Sequence, residues 1–511
     1  MTTLLRATWT RFRTNLRDPL IRRNVAYYMG GKLLGLTLLL LAMYWFIPTA
    51  VHAATGADTP TPQINAVNTV WTLVAAFLVF GMQVGFVMLE AGFARSRESV
   101  NILVEGIADT CICGVLFWAW GFAFMFEPGT PWIGTQGFFL SGLPATYMST
   151  GIPVLAFWVF QFAFADTAST ITSGAMIGRC GFWGDIVYSI GVTGFIYPII
   201  GHWAWGPDGW LALLNFKDFA GSTVVHSIGG AISLAGALAL GPRLGRIFKR
   251  DGGGPPPAHD LIIGAVGGLI LWFGWYGFNP GSTLSALDTV GIGRVSFNTT
   301  LAACSGGLVA LFFSYFRSKN KTWDLGLTVN GFLGGLVAIT CPCYWVDPVG
   351  AFFIGAIAAF VVIFGLDVLE YLRIDDPIGA VPVHLFAGIW GTLSLGLFAT
   401  GAFGAPTPTG ADTSAVIRGL FYGGGLSQLG LQALGSFSVV AATLVVSLIM
   451  MYALKSIGIL RVSKAGELEG LDLHEHGAVA YPEYALMGVV PALTGHDGAT
   501  EVSATPVLAE E

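Results

Sequence analysis

The sequence predicts an all-α polytopic membrane protein: eleven transmembrane helices, a five-plus-five inverted repeat with one additional C-terminal span, N-terminus out and C-terminus in. Three observations predict it. Charge is scarce, apolar segments of bilayer length recur along the chain, and the basic residues between those segments gather on alternate connections.

Of 511 residues, 54% are hydrophobic and only 11% are charged, whereas a soluble globular chain carries roughly 25% charged residues. Most of this surface must therefore meet something other than water. The 70 glycines fit the same reading, because small residues let membrane helices approach closely. The net charge of −6 comes with no basic stripe or aromatic-basic interleaving, which excludes a nucleic-acid binder. No Ser/His/Asp or metal-ligand cluster stands out, so the chain is not read as an enzyme and no cofactor is expected.

Six cysteines include the close pairs Cys111/Cys113 and Cys341/Cys343. Zinc sites use C-x₂₋₄-C with further partners, and both pairs fall in or beside apolar runs. They read as small buried hydrophobes.

Residues 1–54 look like a targeting segment. Seven basic residues, Arg6 to Lys32, precede the apolar run Leu33–Ile47, and Val51-His52-Ala53 resembles a signal-peptidase site. The segment is either a signal peptide or an extra N-terminal membrane helix.

After the polar link Thr55–Asn68, eleven apolar segments of about 20 residues follow, the length needed to cross a bilayer. They cover 69–92, 102–126, 152–177, 183–204, 221–242, 261–279, 295–316, 325–343, 348–371, 381–400 and 433–457. Residues 55–457 thus form one membrane domain, and 458–511 a polar cytoplasmic tail whose last part, Thr494–Glu511, reads as disordered. With the mature N-terminus outside, the inside connections and tail hold fourteen of the 24 Lys and Arg residues. The outside connections hold only Lys217, Arg294 and Arg418. That is a strong positive-inside bias.

Asp218-Phe219-Ala220-Gly221 leads to Val225-His226 at the start of the fifth span, and Asp376-Pro377-Ile378-Gly379 leads to Val383-His384 at the start of the tenth. Both read D-x₂-G-x₃-V-H. A looser echo joins Phe80-Gly81…Gly85-Phe86 in the first span to Phe273-Gly274…Gly277-Phe278 in the sixth. Five spans are repeated, and because five is odd the second copy is inverted, a plan that places sites at the repeat interface.

Each histidine stands eight residues past its aspartate, roughly 12 Å along a helix. Entering from opposite faces of a core about 30 Å thick, the two imidazoles converge near the midplane. Two ionisable groups at one depth in symmetry-related helices read as a shared site. Burial favours the neutral ring, and a neutral pair shares one proton between nitrogens, a proton-accepting site in an apolar passage. The aspartates read chiefly as helix caps, Asp376 with proline at the first helical position. Asp218 adds indirect electrostatic help to an entering cation.

Phe160, Gln161 and Phe164 sit in the third span, Trp203 and Trp205 end the fourth, and Phe278, Asn279 and Ser282 close the sixth. A mouth of tryptophan, phenylalanine and a serine hydroxyl suits a small cation, with cation–π attraction of about 2 kcal/mol when desolvated. Stacked rings below it make a constriction closed to hydrated ions.

From about Trp71 to Tyr484 the residues resemble the ammonium transporter family, which includes the methylammonium permeases and Rhesus proteins. The resemblance rests on Phe160-Gln161…Phe164-Ala165, Asp218–Gly221…His226, Gly277–Ser282, Leu336–Thr340, Asp376-Pro377…His384 and Gly470-Leu471-Asp472…Glu475-His476-Gly477. Glu90-Ala91-Gly92 and Gly277–Ser282 resemble the Amt branch. It implies a homotrimer in the cell membrane, one pore per subunit, conducting ammonium or methylammonium. His226 and His384 match the twin pore histidines, and Phe164 and Phe278 match the stacked gate. Trp205, Phe164 and Ser282 match the outer ammonium site, with Asp218 as supporting acid. The family's tail couples subunits and meets PII-type regulatory proteins. Two positions depart from the family. Asp166 stands where a small or apolar residue is usual, facing either a helix interface or the pore wall, and Arg179 lacks the acidic residue that usually precedes it. The resemblance thus implies a channel that recruits NH4+, deprotonates it and passes NH3 with or without the proton. An ammonium sensor signalling through its tail is the alternative. A redox protein holding heme between His226 and His384 is the other, which a visible spectrum tests.

Overall fold

Apolar runs punctuated by glycine and proline leave the backbone no partners but its own, so they close into helices. The computed structural model describes residues 65–482, apart from 149, 408–409 and 413–415. The proposed targeting segment 1–54 and the end of the tail lie outside the described residues. Of the described residues, 65–138 and those from 144 to 482 group as one unit; a second is described only through Phe139–Leu143, where Phe139 and Leu140 hold positive φ.

Among the described residues ten helices are long and apolar enough to cross a membrane. They are α1 (Ala66–Phe93), α2 (Ser96–Phe126), α3 (Val154–Gly174), α4 (Phe182–Leu213), α5 (Ser222–Leu240), α6 (Leu261–Thr283), α7 (Thr289–Arg317), α9 (Pro348–Leu372), α10 (Val381–Phe398) and α11 (Ser427–Ser456). Between α7 and α9 lies the shorter apolar helix α8 (Leu325–Thr340). The expected eighth segment, 325–343, is therefore cut short. Cys341–Trp345 leaves the helix as a turn closed by Trp345 N–H to Pro342 O at 2.9 Å, and 16 residues rise only about 24 Å. All eleven segments are helical, and one falls below spanning length.

Start signals are legible. Asp260, Asp288, Asp324 and Asp347 each cap the helix that follows, accepting backbone N–H groups of its first turn. Short antiparallel strand pairs, β1 (Gly129–Thr130) with β2 (Ile133–Gly134) and β3 (Ala405–Thr407) with β4 (Gly410–Asp412), lie in connections.

The looser echo acquires a physical meaning. α1 packs along α6, and the contact runs through glycines from both. A Cβ on Gly267 would stand closer to the Leu89 backbone nitrogen than real Cβ atoms approach, and one on Gly92 would strike the Gly264 backbone. Gly267→Ala should therefore lower the thermal midpoint, with an overpacking cost of about 1–3 kcal/mol. Gly430→Ala, in α11 with nothing within 4 Å of its Cβ, should leave the midpoint unchanged or raise it, since alanine loses less entropy in a helix. Scanning fluorimetry on both variants reads the contrast.

The C-terminal segment folds back as α12 (Lys464–Glu469) and α13 (Leu471–His476). Val462 N–H donates to Arg179 O at 3.1 Å and Gly181 N–H to Leu460 O at 3.0 Å. Asp472 accepts the Asn101 N–H at 2.9 Å, and His476 Nε2 meets Asn101 Oδ1 at 2.9 Å. Buried Arg179 lies at this seam and donates to carbonyls of Gly241, Ile177 and Asp375. Burial works against charge on Asp375, yet Arg243, paired at 2.8 Å, and Arg179 hold its carboxyl well below the usual range.

The cysteines are mostly small buried groups. Cys113, Cys180, Cys341 and Cys343 are buried and Cys304 partly so, but Cys111 is exposed. It falls on the stripe with Leu103, Ile107 and Val115 that α2 turns outward, four residues apart.

Candidate functional site

Both D-x₂-G-x₃-V-H motifs fold alike. Asp218 accepts backbone N–H groups from Gly221, Ser222, Thr223 and Val224 at 2.8–3.0 Å. Asp376 accepts them from Gly379, Ala380 and Val381 at 2.8–3.1 Å. In each motif the glycine has left-handed φ, +119° at Gly221 and +84° at Gly379, a conformation that costs side-chain-bearing residues energy. The first turns beyond, Ser222–Ser227 and Val381–Phe386, are wide π-helical turns, a form frequent at functional sites. The expectation of an α-helical rise over all eight residues is thus corrected. The aspartate's bonds shape a turn over the first four, so each histidine lies less deep along its helix than 12 Å.

The histidines nevertheless meet. His226 Nδ1 stands 3.2 Å from His384 Nδ1, with rings tilted 22° and centroids 5.3 Å apart. His226 Nε2 is buried with no partner, so the ring offers a free nitrogen on the side away from His384. Close packing fixes the pair, because a Cβ on Gly388 of α10 would lie 2.5 Å from Ser222 O and Ser227 Oγ of α5.

A ladder of rings leads to His226 from one end. Phe164 stacks on Phe278 at 4.1 Å, and Phe278 stacks on His226 at 5.4 Å. Trp205 meets Phe164 edge-on at 6.1 Å, and its Nε1–H donates to Asp218 O at 2.8 Å. Phe164 and Phe278 are both buried. Above them a cavity of about 270 Å³ is lined by Phe160, Gln161, Phe164, Trp205 and Ser282 among others. Ser282 Oγ–H is spent on Phe278 O at 2.8 Å, which leaves the serine lone pairs to accept. Asp218 stands behind Trp205 and does not line the cavity, and every bond its carboxylate makes is to a backbone N–H.

Two ring neighbours escaped the sequence reading. Trp275 stacks on His226 at 5.2 Å and is held by its Nε1–H to Thr340 Oγ1 at 2.9 Å, while Phe86 stands 6.4 Å from His384. Trp275 lies three residues before Phe278 on α6, so the helical period put it on the same face. Thr340→Val should loosen Trp275 and cost about 1–3 kcal/mol for the orphaned indole N–H, visible as a lower thermal midpoint with a shifted tryptophan emission.

Asp166 resolves to the first of its two alternatives. It is fully buried and accepts from Thr110 Oγ1 of α2 at 3.0 Å, between helices and not among the stacked rings. Further carboxylates are buried there, Glu90 bonded by Ser173, Asp109 by Ser189 and Asp185 by Tyr188.

Fold and site define a multi-pass helical membrane protein whose two histidine-bearing half-motifs meet beneath an aromatic vestibule. Residues 70–481 match the model of the Ammonium Transporter Family, and the chain belongs to that family. It is 40% identical over 477 residues to the ammonium transporter Amt2 of Archaeoglobus fulgidus, covering 89% of this chain and 96% of that one. A putative ammonium transporter of Synechocystis is 38% identical over 441 residues, 85% and 94% of the two chains. Among solved structures, a sensor Amt protein aligns with a TM-score of 0.72 at 37% identity, over 81% of this chain and 99% of that one. Candida albicans Mep2 aligns at 0.72 and 29%, over 82% and 91%. The localisation follows: this is a multi-pass protein of the plasma membrane.

Proposed function

We propose that the protein conducts ammonium, recruiting NH4+ in the vestibule and removing its proton at His226 and His384. The cation rests against Trp205 and Phe164 and donates an N–H to Ser282, with Asp218 holding Trp205 by its backbone carbonyl. It sheds water to pass Phe164 and Phe278, then gives up a proton to the imidazoles, and ammonia crosses the apolar path. Potassium has no N–H to donate and no proton to lose, which supplies selectivity. The carrying observation is the buried imidazole pair, Nδ1 to Nδ1 at 3.2 Å, with His226 Nε2 unpartnered.

In the same reading the eleven helical segments form a five-plus-five inverted repeat plus α11, N-terminus out and C-terminus in. Three copies assemble, each with its own path. Residues 55–457 are the membrane domain and 458–511 the cytoplasmic tail, docked through α12 and α13 where a PII-type regulator has access.

Trp205→Leu removes the cation–π face, worth about 2 kcal/mol when desolvated. Methylammonium KM should rise about tenfold or more with maximal flux largely kept. An unchanged KM would remove the recruitment site from this proposal.

Likeness to a sensor Amt protein favours a second reading, in which ammonium binding is reported through the tail. Current recording on proteoliposomes under an ammonium gradient separates the two. Ammonium-driven current or uptake supports conduction, whereas binding without flux supports sensing.

A further inference from the structure

His202 lies on α4, three residues before Trp205, and takes no part in the path just described. Its side chain is fully buried. Nδ1 stands 2.9 Å from Met125 O and Nε2 stands 2.9 Å from Thr130 O. Backbone carbonyls only accept, and a neutral imidazole has a single N–H. A neutral ring would therefore press a nitrogen lone pair against a carbonyl lone pair at hydrogen-bond distance. Both contacts are bonds only when both nitrogens carry hydrogen, which is the imidazolium.

On the elements packed against this turn, the connection after α2 brings Glu127, buried and with no hydrogen-bond partner on its carboxylate among the described residues, beside Tyr147. The break in α4 between Trp205 and Trp210 brings Asp208, which accepts from Gly129 N–H at 3.1 Å. The connection before α5 brings Lys217, its backbone bonded to Gln432, and Asp218, engaged by four N–H groups; α5 brings His226, α3 brings Asp166, bonded by Thr110, and α11 brings Lys455, bonded to Ala239 O. No Lys or Arg occurs between Arg97 and Arg179. Gly206 completes the fit, since a Cβ there would overlap the His202 ring.

Met125 and Thr130 bracket the turn that follows Phe126, and Phe126 walls the cavity together with Ala204 and Trp205. We propose that His202, held as an imidazolium, is a positioning residue for the outer ammonium site, locking the Met125–Thr130 turn and Phe126 against the helix that presents Trp205. The role rests on the recruitment reading above.

The test begins with the unaltered protein in lipid. ¹⁵N-histidine NMR, with ¹³C-labelled methionine carbonyls to assign the ring whose Nδ1 faces Met125, should show hydrogen on both nitrogens near neutral pH. One bare nitrogen overturns the proposal. Transport then reads the consequence. His202→Gln should raise methylammonium KM about tenfold, the scale of one charge-assisted hydrogen bond, with kcat kept within about twofold. An unchanged KM in His202→Gln beside a raised one in Trp205→Leu overturns the role alone. An unchanged KM in both overturns the recruitment reading and this role with it, even where both N–H signals are seen. The NMR arm needs no variant, so a His202→Gln chain that fails to fold leaves the decision with it.

Discussion

Uptake of labelled methylammonium should fall about 100-fold, or lose its discrimination against potassium, in His226→Ala and in His384→Ala. The magnitude is that of removing a positioned proton acceptor, typically 10²–10⁴-fold. Either truncation also strips the partner from a 3.2 Å nitrogen–nitrogen contact, leaving the surviving ring with both nitrogens unpaired in a buried site. The two variants differ in how they fail. His226 packs against both Trp275 and Phe278, so its loss opens a gap directly beneath the Phe164–Phe278 stack. Water and small hydrated cations then enter, and selectivity goes before flux does. His384 lies further along, next to Phe86, and its loss should depress flux with the gate intact. Selective uptake at the unaltered rate in both variants would refute the assigned role.

Asp218→Ala should be the most damaging change outside the histidines. Four backbone N–H groups converge on this carboxylate, and an orphaned buried donor costs about 1–3 kcal/mol. Even with water satisfying part of the set, the loss is on the order of 4 kcal/mol, a large share of ordinary stability. Asp218→Asn keeps one oxygen, enough for two of the four donors, and should fall between the two. The order in thermal midpoint is then wild type, Asn, Ala. KM should rise in the same order, because Trp205 is tethered to the backbone carbonyl of residue 218. Were the alanine variant to melt with the wild type, the cap would be ornamental.

Much of this architecture was legible in the sequence because membranes simplify the code. Apolar length marked the helical segments, and the aspartate of each D-x₂-G-x₃-V-H motif marked the turn that opens α5 and α10. The D-x₂-G-x₃-V-H repeat correctly brought His226 and His384 together, since two chemically odd residues in matching positions need a common explanation. What was missed has physical reasons as well. The turn that shortens α8 depends on Pro342, whose missing N–H ends a helix only where the surrounding packing offers the chain another course. The wide turns at Ser222–Ser227 and Val381–Phe386 arise from a carboxylate gathering three or four amides at once, a cooperative geometry with no period to read. Trp275 was passed over because tryptophan is common in membrane helices, although its three-residue spacing from Phe278 was there to be used. Asp166 could be placed only once Thr110 was seen across the interface, because a single charged residue in a helix does not say which neighbour it faces.

The contact between the two imidazoles holds room for one hydrogen, and a bridge with one hydrogen has a polarity. A proton relayed from His226 to His384 leaves both rings in the opposite tautomer, with the bridge reversed. A second proton travelling the same way then meets a donor where it needs an acceptor. Either the rings exchange tautomers or ammonia picks the proton up again before the next ion arrives. Under the proposed mechanism the pair therefore works as a turnstile that must be rewound between passengers.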